Sequence, residues 1–284
     1  MRTRSGIVAA VVLVVLVGLA AAGCGGDGHD PLVVTGKVPA TPYTGPLDLP
    51  YTAEDDGDAQ QSSGAAGRAL ECEGAIRAGD AGDAWSKDDG GLTPEEGLEA
   101  YFDIYQPELP ERGYRLERTE GDRVLFSYDV AGRTKVAVVV AKDQPRRPGW
   151  GPETSASCDP SEFPASWTKA RGYEIWTDRD GHRVPTTEVS STAGAEHCDW
   201  QSAHFLDLGR YGRQYARDPR GVLPPEALTA AYDPDVRMPA DARDTGYRYG
   251  DRRLWLTPDR ATAYVRTSDG VEAWPATTSR FGCR

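Results

Sequence analysis

The densest gathering of reactive side chains is "GAEHCDWQSAH", residues 194–204, which sets Glu196, His197, Asp199, Trp200 and His204 around Cys198. An imidazole beside carboxylates is the raw material of a general base or a metal site. The spacing argues against a metal. On a strand, His197 and Asp199 share a face with position 201 while Cys198 points the other way. Position 201 is Gln, a poor ligand. A polar rim around a buried disulfide is the better reading. A second cluster, "DRDGHRVPTTE" from Asp178, carries the D-x-D-G core of a calcium loop. Aligning Gly181 with the loop glycine puts Trp176 and Thr187 where the first and last carboxylates belong, so the match fails. A hairpin turning at Asp180-Gly181 accounts for it.

Elsewhere the chain has no G-x-S-x-G, no H-E-x-x-H, no P-loop and no dinucleotide fingerprint. Neither a metal nor an organic cofactor is expected. Its 44 acidic residues include many carboxylate pairs, and spacing singles out none as a glycosidase pair. Tyrosines and tryptophans beside arginine, as in "RYGRQYAR" and "YRYGDRRLWL", suit stacking on sugars or contact with anionic wall polymers. Core packing and cross-strand pairing explain most of them.

The elements that would position these groups read as α+β. In "LTPEEGLEAYFDIYQPELP", Thr93 is placed to N-cap, Pro94 takes the first helical position and Glu96 completes a capping box. Leu98, Tyr101, Phe102 and Tyr105 form one apolar face, and Pro107 ends the helix. Strand-like runs follow, split by turn chemistry at "EGD" and "AGR". Val136 to Val140 is continuously apolar and predicts a central strand. A fourth strand, "GWGPETSASC", ends at Cys158. Residues 67–165 thus read as a helix packed on an antiparallel sheet.

Residues 166–284 read as a mainly β second half. Hairpins are expected around Asp180-Gly181 and around Gly209 to Gly212, then an irregular stretch over 218–245. A three-stranded meander closes the chain. The order of strands, turns, Trp and Cys from Arg123 is echoed from Arg253, as an old duplication or two similar meanders would leave it.

Arg2 and Arg4 precede a run of ~17 apolar residues, at the short limit for a bilayer span. This is the pattern of a signal peptide over residues 1–23. The run ends in "AAGC", which resembles a bacterial lipobox. That resemblance implies cleavage before Cys24 and a thioether-linked diacylglycerol there, with acyl chains such as palmitate. An ordinary secretory signal or an uncleaved anchor helix are the rivals. Two acyl chains hold stably where one is marginal. All three readings put the remainder outside the cytoplasm. Residues 24–66, rich in Pro, Gly, Ser and acid, read as a lipidated Cys and a disordered tether, the alternative being that Leu32 to Val34 and the "PYT" repeats dock on the body as an added edge strand.

The remaining cysteines, Cys72, Cys158, Cys198 and Cys283, lack C-x-x-C or His-pair spacing, so two disulfides are favoured over a metal site. The pairing Cys72–Cys158 and Cys198–Cys283 is favoured because each pair brackets one half. The formal net charge of −12, without a basic block, makes nucleic acid a poor partner.

At "SGAAGRALEC", "SCDPSEFP", "EHCDW" and "FGC" the chain resembles an uncharacterised family of secreted lipoproteins from high-GC Gram-positive (actinobacterial) bacteria. The resemblance implies an envelope protein on the outer face of the membrane and implies no activity. The expected function is a non-catalytic binding or envelope-support module, with the membrane as partner through the anchor, and a cell-wall polymer or envelope protein beside it. The alternatives are a small extracytoplasmic hydrolase and a signalling or inhibitor-type partner protein.

Overall fold

The run Val136–Val140 demands a strand buried on both faces, and the computed structural model of the chain provides one. It describes residues 31–36, 39, 41–51, 59–79, 85–105, 109–209 and 212–279, all within one compact unit. Helices α1 (Ala59–Ser62) and α2 (Gly64–Ala69) come first, then strand β1 (Ile76–Gly79) and helix α3 (Pro94–Tyr105). Strands β2 (Arg115–Glu120), β3 (Arg123–Val130), β4 (Arg133–Gln144) and β5 (Arg147–Cys158) form a meander, and β1 adds to its edge. The sheet is antiparallel, in the order β1-β5-β4-β3-β2.

Side chains along β4 alternate between two cores. Val136, Val138 and Val140 pack with Leu98, Tyr101 and Phe102 of α3. Ala137 and Val139 face the other way and pack with Leu125, Ala156, Leu47 and Ala65, Ala66 and Ala69 of α2. The start of α3 follows its sequence signals. Thr93 Oγ1 accepts from Glu96 N at 3.2 Å, and Glu96 Oε2 accepts from Leu92 N at 2.5 Å.

Within the stretch 24–66 that reads as a tether, several of the described residues pack on the body, and residues 24–30 and 52–58 lie outside the described residues. Leu47 is only 2 % exposed and α2 lies in the core. Upstream, Val33 bridges Tyr114 in parallel, with Val34 N donating to Tyr114 O at 2.7 Å. The reason is physical. A sheet whose central strand is apolar on both faces needs two covers, and α3 supplies only one. The small and apolar residues within the polar stretch supply the other.

After α4 (Ala165–Ala170), the second half holds two antiparallel sheets. The first is β6 (Val189–Ala193), β7 (His204–Leu208) and β8 (Arg213–Arg217). The second is β9 (Arg243–Tyr249), β10 (Arg252–Leu256), β11 (Thr262–Arg266) and β12 (Val271–Pro275), in the order β12-β11-β10-β9. Their inner faces share one core. Val189, Leu206 and Tyr215 meet Leu254, Ala263, Val265 and Trp274, with Trp176 fully buried among them. The outer face of β6–β8 has its own cover in Leu223 and Trp200. The fold is therefore α+β with a mostly β second half.

Several elements escape the sequence reading: the short helices α1, α2 and α4, and strands β1, β6 and β9, the last extending the expected three-stranded meander to four strands. The 176–184 hairpin is made by an isolated bridge, Thr177 to Arg183, instead of regular strands. A disulfide joins Cys72 to Cys158, with Cα atoms 5.3 Å apart. Cys198 is also disulfide-bonded. Cys283, its favoured partner, lies outside the described residues, as does Cys24. Among the described residues no helix is long and apolar enough to cross a membrane.

Candidate functional site

The cluster at 194–204 does not assemble as one site. Glu196, His197 and Cys198 form a single 3₁₀ turn, and Asp199 follows at φ 59°. Glu196, His197 and Asp199 are exposed. The Trp200 ring packs against Phe205 at 6.1 Å. His204, carried into the structure by β7, reaches a half-buried polar partner.

That partner is Glu174. Its Oε1 lies 3.0 Å from His204 Nε2, its Oε2 accepts from Ser191 Oγ, and Arg252 Nη1 lies 3.3 Å from Oε2. Ser191 Oγ in turn accepts from Trp176 Nε1 at 2.8 Å. Burial pushes the Glu174 carboxyl upward. The hydrogen bonds from His204 and Ser191 and the charge of Arg252 overcome that, and hold it below the ordinary carboxylate range.

The network continues through Trp274, whose ring meets the His204 ring edge-on at 6.3 Å. Trp274 Nε1 donates to Glu272 at 2.7 Å, and Arg217 grips both oxygens of Glu272 at 2.9 and 3.1 Å. Arg217 also lies over the Tyr232 ring at 5.6 Å. Burial, with the Glu272 charge next, pushes the Tyr232 hydroxyl up to about 12.

Chemically this is a brace. A serine nucleophile needs a base within reach that takes its proton, with an acid behind the base. Here Ser191 donates to the carboxylate itself, and His204 binds the same carboxylate from the other side. The order is wrong for serine activation. Both carboxylates are neutralised by arginine, which suits holding β6, β7, β8, β10 and β12 together.

A cleft of about 680 Å³ lies elsewhere, lined by Arg133 and Lys135 of β4, Glu162, and the loop at His182, Arg183 and Pro185. Its charges are committed to structure. Lys135 Nζ pairs with Glu162 at 2.6 Å, and Glu162 also accepts from the amides of Glu73 and Gly74, both at 2.9 Å. Arg183 donates to Phe163 O and to Thr168 Oγ1. At the turn, Asp178 Oδ1 accepts from the amides of Asp180 and His182, both at 2.9 Å. These bonds close the turn at "DRDGHR".

Sequence reasoning missed Glu174, Arg252, Arg217 and Glu272. The signal for Glu174 was its place in "GYEIW", a charge inside an aromatic run, where burial forces a partner. No protein-family model, curated protein or solved structure matches this chain. What the fold and site define is an α+β body braced by a disulfide and a half-buried ionic network.

Proposed function

We propose that this chain is a membrane-anchored extracytoplasmic lipoprotein, held through Cys24 and acting as a non-catalytic binding module. The observation that carries the reading is "LVGLAAAGCGGDG", where a positive start and an apolar run end on small residues and one cysteine. The Cys72–Cys158 disulfide suits an oxidising compartment outside the cytoplasm. The non-catalytic reading rests on the Ser191–Glu174–His204 order, which places the carboxylate where a base is needed. The resemblance to actinobacterial lipoproteins points the same way. Partners are then the membrane through the anchor, and a polymer or protein of the envelope through the body.

Replacing the cysteine tests the anchor. In growing cells Cys24→Ser should leave the membrane fraction and lose the lipid mass. A variant that stays membrane-bound and keeps the wild-type mass would overturn lipidation at this residue.

A further inference from the structure

The outer face of β9–β12 has an unusual charge pattern. Arg248, Arg253 and Arg266 are direct register partners across three neighbouring strands. Their neighbours fix the side on which they stand: Tyr247, Tyr249, Leu254 and Val265 pack into the core, so the arginines face away from it. Like charges directly opposite one another destabilise a sheet. Among the described residues no carboxylate lies within ion-pairing distance of any of the three. A fourth guanidinium joins them. Arg179 lies across Gly246, where an added Cβ would meet its side chain at 2.9 Å, and donates to Asp244 O at 3.0 Å. This row stands on a chain whose formal net charge is −12.

Beside the arginines runs a second row, with Trp255 opposite Tyr264. Arg266 sits over the Trp255 ring at 5.3 Å, which fixes its guanidinium on the surface. We infer that this face binds a linear anionic polysaccharide, its acid groups meeting Arg248, Arg253 and Arg266 at the inter-strand spacing of about 4.8 Å. Planar guanidinium forks match carboxylates bidentately, and the half-buried Tyr264 ring beside them gives a sugar ring an aromatic edge to pack on. A lipid surface fits less well, because insertion needs protruding apolar side chains. The exposed large hydrophobics among the described residues, Tyr51, Leu92 and Leu116, all lie outside β9–β12.

The inference rests on the binding-module reading and names its ligand class. The full chain, purified in detergent micelles, is titrated with polygalacturonate and, separately, with neutral dextran. Polygalacturonate should bind and weaken with salt, while dextran should not bind. Arg253→Gln should lower the affinity roughly tenfold, with a thermal midpoint equal to or above wild type because a repulsion is relieved. Arg253→Lys, which keeps the charge but loses the planar fork, should bind more weakly than wild type and more tightly than Arg253→Gln. Unchanged binding in Arg253→Gln, equal binding of dextran, or displacement by phosphatidylglycerol added to the micelles would each overturn it. Anchoring is read separately. A chain that fails the Cys24→Ser test yet binds through these arginines loses its anchor and keeps this site.

Discussion

Glu174 shows how a single side chain's surroundings set its chemistry. Two hydrogen-bond donors and one guanidinium outweigh its burial, so its folded pKa is depressed. The stabilisation is complete above the unfolded value of about 4.3 and is lost as pH falls through the folded value. Glu272, also lowered, acts in the same direction. Glu174→Gln should therefore cost about 1–3 kcal/mol at neutral pH and flatten the loss of stability on acidification. Urea unfolding measured at neutral and acidic pH reads both. A variant as stable as wild type at neutral pH would mean that the network braces nothing. The sequence placed His204 among candidate groups but gave it the wrong neighbours. Its true partner is 30 residues away, and chain proximity carries no information about a carboxylate delivered by another element.

At the scale of elements, local signals were legible and long-range ones were not. Thr93, Pro94 and Glu96 mark the start of α3 because caps are made within one turn. The turns at "EGD" and "AGR" split the first meander correctly for the same reason. α2 is short and, Arg68 apart, built of Ala and Gly, and its role lies in fitting closely against Ala137, Val139 and Ala156, which no local pattern records. Composition marked residues 24–66 as unable to fold alone, yet the sheet supplies the partner that makes Leu47 buried. Leu47→Ala separates the two accounts. Burial predicts a loss of about 2–5 kcal/mol, seen as a lower urea midpoint. A tether predicts a change within about 0.5 kcal/mol.

Across the whole molecule, an apolar leader ending at Cys24, a disulfide-braced α+β body and an arginine row on an acidic chain assemble into one proposal: a body held at the membrane that presents a cationic sheet face to anionic polymer. The pieces are separable, and the anchor carries the most, because it decides the compartment in which everything else acts. The most direct measurement is the intact mass of the protein extracted from cell membranes. The account predicts a chain that begins at Cys24 and is heavier than the bare polypeptide by a diacylglyceryl group. A chain that still carries Met1, or one that begins elsewhere without added lipid, would contradict it.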